Sequence, residues 1–556
     1  MKLKKLLSGC MALAMCLALA ACSGGHNDNQ TGETPTPDET LEGAGEKVVT
    51  LAESWDFSSG AHSFYTVHGS TSDTNYGINY WSYNFYNTLV KQENGEFAGE
   101  LATDWSVSDD GLTYTFKLRD GVRFSDGTPL TAGAVKTSFE ASIQYQGAGL
   151  GVNGMLSALI TKMEAPDDLT FVMTLSQPYY GTLNDLTMNN PLGIVNPAVF
   201  NDDLSLSDGI KTATYGTGPY MYTGETDGSA YTFVKNPYYW GGEPEVDKFV
   251  IKVIPDNDAK VLALRSGEID AVIGSMRMTY DAFSELEADS AYGTKISEGT
   301  SMTRYLGFNL GTSPFDDVLV RQAVSYAVDQ ETLSAIVFQG LEQPAGALFP
   351  STKPFCDVDI VTYGYDVKKA RELMDEAGWV DSDGDGIREK DGQTLELSLC
   401  YYQDTGSLED VILTIASQLK EIGIKLTTQE MDMMTWFGTV SSGEYGLTLF
   451  YTYGGSYDPF NVLTNMNSTS SGDPVMMQVS AFFANGNDMI VELNSTADED
   501  RVQEIYQAVL AEMAEQALVL PISYTCEFAA WNREVMESYD FYWDIQYIDI
   551  AGIRLK

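Results

Sequence analysis

The sequence predicts a mixed α/β protein built as at least two lobes, and three observations lead to that expectation. The part able to fold, from about Lys47 to Lys556, is roughly 510 residues long, more than one hydrophobic core ordinarily supports. Leu112, Tyr114, Phe116 and Leu118 alternate with Thr113, Thr115, Lys117 and Arg119, the period of a strand with one buried face, and Asp120-Gly121 closes it as a turn. Helical spacing takes over further on. Val320, Val324, Ala327 and Val328 fall at i, i+4, i+7 and i+8 behind an expected cap at Asp316, and Ala370, Leu373, Met374 and Ala377 repeat that spacing before Gly378.

At the N-terminus, Lys2, Lys4 and Lys5 precede an apolar run from Cys10 to Ala21, too short and wrongly flanked for a spanning helix, so residues 1–21 are expected to be a secretion signal. It ends in Leu19-Ala20-Ala21-Cys22 followed by Ser23, Gly24 and Gly25. That arrangement resembles the bacterial lipobox, and the resemblance implies that Cys22 becomes the lipidated N-terminal residue. From His26 to Glu46 the chain has almost nothing to bury, which predicts that residues 22–46 form a lipidated, flexible tether. The expected location is the cell surface or periplasm, with the body held at the membrane by its lipid.

The formal charge of −47, or −50 once residues 1–21 are removed, would repel phosphate backbones and anionic headgroups, which argues against nucleic acid and against direct adsorption to a bilayer. Beyond the signal only Cys356, Cys400 and Cys526 remain, without CxxC spacing, and no disulfide is expected. An enzyme has little to work with. The three histidines are His26, His62 and His68, and the chain has no GxSxG elbow, no HExxH and no phosphate loop. Gly149, Gly151 and Gly154 match GxGxxG but follow a polar, helix-like stretch, so a plain glycine-rich loop is expected there. A carboxylate pair of the kind used in glycoside hydrolysis is not removed by counting, and a secreted hydrolase stays open as an alternative, as does a surface sensor.

Several segments taken in order resemble the extracellular solute-binding proteins of family 5, which serve peptide and nickel ABC importers. They are Asp109-Asp110-Gly111-Leu112-Thr113-Tyr114-Thr115-Phe116, Arg123-Phe124-Ser125-Asp126-Gly127, Gly216-Thr217-Gly218-Pro219-Tyr220, Asn236-Pro237-Tyr238-Tyr239-Trp240, Gly267-Glu268-Ile269-Asp270, Phe308-Asn309-Leu310, Val320-Arg321-Gln322-Ala323, Glu376-Ala377-Gly378-Trp379 and Leu520-Pro521-Ile522-Ser523-Tyr524. The resemblance implies a periplasmic-binding-protein type II-like fold: two α/β lobes joined by a two-segment hinge, with an extra subdomain in the first lobe. It places the first lobe at residues 47–300 plus 515–556 and the second at 301–514, with crossings near Ser301 to Asn309 and Leu520 to Tyr524. It implies capture of a small peptide, peptide-like solute or metal chelate between the lobes by a monomer, no catalysis, and delivery to the permease and ATPase subunits of an ABC transporter.

Two aromatic clusters are candidates for ligand contact. Tyr76, Tyr80, Trp81, Tyr83, Phe85 and Tyr86 face several directions along any helix, which favours core packing. Phe450, Tyr451, Tyr453 and Tyr457, with Trp436 upstream, include a loop of three tyrosines beside Gly454 and Gly455, a composition suited to binding. The Tyr-Asp-Pro ending of this loop resembles the nickel branch, where matching aromatics enclose a chelate and arginines grip its carboxylates. Where those arginines would align, the chain reads Asn189-Asn190-Pro191-Leu192-Gly193-Ile194 and Gly151 to Met155, with no arginine. Peptide-binding relatives place an aspartate for the peptide amine where Ser456 stands, and Asp458 is the substitute considered. The candidate ligand contacts are therefore Tyr451, Tyr453, Ser456, Tyr457, Asp458, Trp436, His68 and Asn190. No cofactor is required. Asp381, Asp383 and Asp385, with Gly386 at the sixth position, open like a calcium loop, but Gly392 stands where its bidentate glutamate belongs and leaves Glu389 and Asp391 as substitutes. A weak structural calcium site is expected there, against a plain acidic turn.

Overall fold

A computed structural model describes residues 45–57, 80–93, 95–146, 154–207, 213–402, 408–452, 457–467 and 473–556. Cys22 and the tether as far as residue 44, His62, His68, Tyr76, Tyr453, Ser456, Gly149 and Gly151 lie outside the described residues. No helix of the described residues is long and apolar enough to cross a membrane.

Two mixed sheets organise the body. The seven-stranded sheet runs, edge to edge, Tyr292–Ile296, Phe528–Asn532, Ala271–Ile273, Val48–Glu53, Lys248–Val253, Ala230–Lys235 and Tyr220–Thr226. Val48–Glu53 sits in its interior, parallel to both neighbours. The six-stranded sheet runs Gln343–Pro344, Val519–Tyr524, Thr303–Phe308, Leu447–Tyr451, Glu396–Tyr402 and Lys425–Met431. Thr303–Phe308 is buried at all six positions, the pattern of a strand covered on both faces. Helices pack each sheet, giving two α/β lobes.

The strand expected from the 112–118 alternation spans Thr113–Leu118, with Tyr114, Phe116 and Leu118 buried and Lys117 exposed. It lies in a separate four-stranded antiparallel sheet with Ala102–Val107, Thr170–Leu175 and Ile160–Asp167, which is the extra subdomain. Phe116 pairs across to Phe171 and Trp105, and such aromatic cross-strand pairs stabilise a sheet face. The two expected helices form at Val318–Ala327 and Val367–Glu376. The cap of the first is Asp317, not Asp316: its carboxylate accepts from the Leu319 main-chain N–H. Val328 is already extended. Gly378 closes the second with φ +82°, a conformation that favours a residue without a Cβ.

The chain leaves the seven-stranded sheet at Ile296, enters the six-stranded sheet at Thr303, and returns between Tyr524 and Phe528. Val519–Tyr524 is a strand of the six-stranded sheet, and the chain passes back through Thr525–Glu527, directly after the expected Leu520 to Tyr524. The two crossings bond to each other: Ser297 N–H donates to the Glu527 carbonyl (2.8 Å), Ser301 N–H to the Thr525 carbonyl (2.9 Å) and Thr525 N–H to the Met302 carbonyl (2.9 Å). Cys356, Cys400 and Cys526 are buried free thiols.

Candidate functional site

Where the two sheets approach, the described residues enclose a cavity of about 110 Å³. Tyr80, Ser275, Met276, Arg277 and Tyr280 line it from the side of the seven-stranded sheet. Arg304, Glu342, Tyr402, Phe450, Tyr451 and Thr452 line it from the other side, and Met302, Thr525 and Glu527 come from the crossings, with Gln546 closing it. Both large sheets and both crossings thus contribute to its walls. A larger groove of about 990 Å³, between Leu262, Ile336 and Leu413, opens outward over helix exteriors.

Two buried ion pairs build the cavity walls. Glu53 ends the interior strand Val48–Glu53 with no exposed surface. It accepts from Arg277 Nε (3.0 Å) and Nη2 (2.6 Å), from Trp81 Nε1 (2.7 Å) and from the Ser54 N–H (2.6 Å). The guanidinium carbon of Arg277 lies 4.6 Å from the Tyr80 ring centre, a cation–π contact that fixes the ring toward the cavity. Lys260, behind Glu53, is pushed down to about 8 by burial, with Glu53 opposing that shift. Its ammonium donates to Ser54 Oγ (2.8 Å) and Asn257 Oδ1 (2.6 Å).

In the second lobe, Arg304 donates to Glu342 through Nη2 (2.8 Å) and Nε (3.3 Å) and to the Tyr451 hydroxyl through Nη1 (3.0 Å). Glu342 also accepts from Ser523 Oγ and from the hydroxyl of Tyr280. Tyr280 belongs to the helix Tyr280–Glu287 of the first lobe, so this bond fastens one lobe to the other across the cavity edge. Both arginines are thus neutralised by the protein itself. Glu527, from the return crossing, makes no ion pair within 4.0 Å among the described residues; burial pushes its carboxyl above the ordinary carboxylate range, while the Ser275 N–H (2.7 Å), the charge of Arg277 and the Ser301 hydroxyl pull the other way.

A second cavity of about 270 Å³ lies beside the outward crossing, between Glu298–Ser301, Lys353, Tyr457 and Trp543–Ile545. Lys353 Nζ stands 4.5 Å from the Tyr457 ring centre, and burial holds its ammonium below the ordinary lysine value.

Of the residues singled out in the sequence, Tyr451 lines the first cavity and Tyr457 the second. Tyr80, placed with a core cluster, also reaches the first cavity, whereas Trp81, Tyr83, Phe85 and Tyr86 are buried. Three expected contacts are placed elsewhere. Trp436 stands behind Phe450, 4.5 Å between ring centres, and donates Nε1 to Thr448 Oγ1 (2.8 Å); it supports the wall without touching the cavity. Asp458 is half-buried as the cap of the helix Pro459–Thr464, its carboxylate engaged in accepting from the Phe460 N–H (3.1 Å), and it lines neither cavity. Asn190 lines neither cavity, and its buried Oδ1 makes no hydrogen bond. Arg277, Arg304, Glu342 and Glu527 were not singled out. The one local signal was Arg304 itself, the single charge in the fully buried Thr303–Phe308 strand. Away from the cleft, Asp381, Asp383, Asp385 and Glu389 each present a carboxylate oxygen within 4.8 Å of the others, so Glu389 joins the loop that the sequence opened.

Comparison with known proteins follows this architecture. Residues 96–474 match the family model for bacterial extracellular solute-binding proteins, family 5. The nickel-binding periplasmic protein of Escherichia coli K12 is 30% identical over 79% of this chain and 83% of its own. The oligopeptide-binding protein AppA of Bacillus subtilis is 28% identical over 77% of each. Among solved structures, NikA from Brucella suis in complex with Fe(III)-EDTA superposes with a TM-score of 0.83 at 27% identity, covering 91% of this chain and all of that one.

Proposed function

Because the chain belongs to the bacterial extracellular solute-binding proteins of family 5, we propose that it encloses a small peptide or peptide-like solute between its lobes, hands it to the permease of an ABC importer, and catalyses nothing. The observation that carries this is the cavity walled by both sheets and both crossings. A solute touching both lobes stabilises the closed arrangement by its differential affinity, and a membrane partner can read that arrangement without any covalent step. The proposed lobes are the parts of the chain grouped with each sheet.

Between a peptide, with one terminal carboxylate, and a chelate held through several, the ion pairs favour the peptide. A ligand carboxylate approaching Arg277 or Arg304 must compete with Glu53 or Glu342, each already within 2.8 Å, and breaking a buried pair is costly. The test is a melting-temperature screen of residues 46–556 against di- and tripeptides and nickel–histidine. Peptides should raise the midpoint in proportion to the logarithm of their concentration above Kd. A shift with nickel–histidine and none with peptides reverses the assignment in favour of a chelate.

Two further parts of the proposal stand away from the cleft. Lipidation of Cys22 would hold the body at the membrane, as two acyl chains suffice for stable anchoring; Cys22→Ser should move the protein from the membrane fraction to the soluble one, and unchanged membrane retention removes the anchor. Calcium would be held by Asp381, Asp383, Asp385 and Glu389, hard oxygen donors of the kind this ion takes. Calcium added to chelator-treated protein should raise its melting temperature, and an unchanged midpoint discards the site.

A further inference from the structure

The chain that leaves the four-stranded sheet of the extra subdomain, residues 176–188, touches parts of the protein that belong to the other lobe. Both of its ends are fixed on the first lobe's side. The Ser176 N–H donates to the Leu159 carbonyl (2.8 Å), and the Tyr83 hydroxyl donates to the Thr187 carbonyl (2.7 Å). Between these anchors, Gln177 Nε2 donates to the Asn494 carbonyl (2.8 Å) and the Tyr180 N–H to the Thr496 carbonyl (2.9 Å). Asn494 and Thr496 lie between Leu447–Tyr451 and Val519–Tyr524, two strands of the six-stranded sheet.

Side chains reinforce the grip. The Tyr180 ring stands edge-on to Phe355, 5.4 Å between centres, and tilted against Phe460 at 5.6 Å, while Tyr506 packs on Phe355 at 5.4 Å. Tyr179, fully buried, also meets Phe460 edge-on at 5.6 Å. Gly181 permits this approach, because a Cβ there would lie 2.9 Å from Phe460 Cε1, nearer than carbon atoms pack. Phe355, Phe460 and Tyr506 all come from the stretch of chain that carries the six-stranded sheet. None of the gripping residues lines either cavity. The Tyr280–Glu342 bond is different, since both of its residues line the first cavity.

We propose that the extra subdomain is a clasp on lobe closure: through residues 177–181 it holds the second lobe in the closed arrangement without help from a solute. A contact made only in the closed arrangement raises that arrangement's share of the unliganded protein, and apparent affinity rises with that share for every solute alike. A residue that touched the solute would instead change the affinity of one solute and not another. The clasp rests on the capture proposed above for its effect on affinity, and its effect on the unliganded shape stands apart from any solute.

The test compares the wild-type body with Tyr180→Ala, each stripped of bound solute, and then titrates both with trialanine, trileucine and nickel–histidine. Small-angle X-ray scattering should give the unliganded variant the larger radius of gyration. Calorimetry should find every probe that the wild type binds weakened by one common factor of about ten, the size that a pair of ring contacts carries. Tyr180→Phe keeps the ring and should restore both values. Tyr180→Cys combined with Thr496→Cys supplies a second reading within one protein. The two main chains are joined by a hydrogen bond and lie within reach of a disulfide, so the oxidised pair should stay compact without solute and the reduced pair should expand. Equal radii for wild type and Tyr180→Ala, or for the oxidised and reduced pair, overturn the clasp. Losses that differ from probe to probe also overturn it, since they place Tyr180 against the solute. If no probe binds the wild type, capture of these solutes falls, and the scattering comparison decides the clasp by itself.

Discussion

Glu53→Ala should destabilise the protein by about 3–5 kcal/mol, the cost of stripping a buried ion pair of one member. The size follows from what is orphaned. Arg277 and Glu53 are 2% and 0% exposed in their side chains, so the guanidinium cannot turn to water. Trp81 Nε1 and the Ser54 N–H lose their acceptor at the same time, each a buried donor left unmade. The lysine behind the pair, Lys260, loses the carboxylate that favours its charged form. Chemical denaturation should show the loss. The double variant Glu53→Ala, Arg277→Met should recover part of it, since replacing both charges avoids the unpaired cation. A single variant within about 0.5 kcal/mol of wild type would mean that Arg277 finds water or another acceptor, and that the wall of the cleft is less rigid than its hydrogen bonds indicate.

The second large effect is on pH. Burial raises Asp185 to about 8, although its carboxylate accepts from the Met155 and Leu156 N–H groups, both at 2.9 Å. The folded state then keeps this proton up to about pH 8, while the unfolded chain releases it near the ordinary aspartate value of 3.8. Between those limits the folded state binds more protons than the unfolded one, so stability is full below about pH 4 and declines as pH rises toward 8. The slope from this group is about 1.4 kcal/mol per pH unit. Asp458 and Asp549, each raised by burial to about 6, contribute in the same direction over a narrower window, as does repulsion within a chain of formal charge −47. Asp185→Asn isolates the one residue, because the amide oxygen can still accept a main-chain N–H. The variant should gain on wild type steadily from pH 4.5 to pH 8, and parallel stability profiles would show that Asp185 ionises normally in the folded state.

What the sequence disclosed about this protein was set by distance along the chain. The Tyr114–Leu118 alternation and the Ala370–Met374 spacing are local periods, and each is realised as a strand or a helix because the buried face is encoded within a few residues. The cap at Val318 differs by one position because Asp316 and Asp317 are adjacent carboxylates and only main-chain geometry chooses between them. Tyr451 was legible as an aromatic beside a glycine-rich loop. Trp436 carried the same chemical promise, yet it packs behind Phe450, a distinction no composition reveals. The charged frame of the cleft was illegible for a physical reason. Glu53 and Arg277 are 224 positions apart, Arg304 and Glu342 are 38 apart, and Glu527 comes from a crossing near the end of the chain. Periodicity cannot pair residues that only the folded sheets bring together. The arginines sought near Asn190 are absent there, while two others reach the cleft from unrelated segments, already matched by glutamates.

The most direct test of solute capture between the lobes is to weigh residues 46–556 under native conditions as purified, and again after denaturation. An excess mass is expected in the native protein, released on unfolding and resolving into short peptides. A native mass equal to the bare chain, unchanged after incubation with peptides or with nickel–histidine, would contradict it.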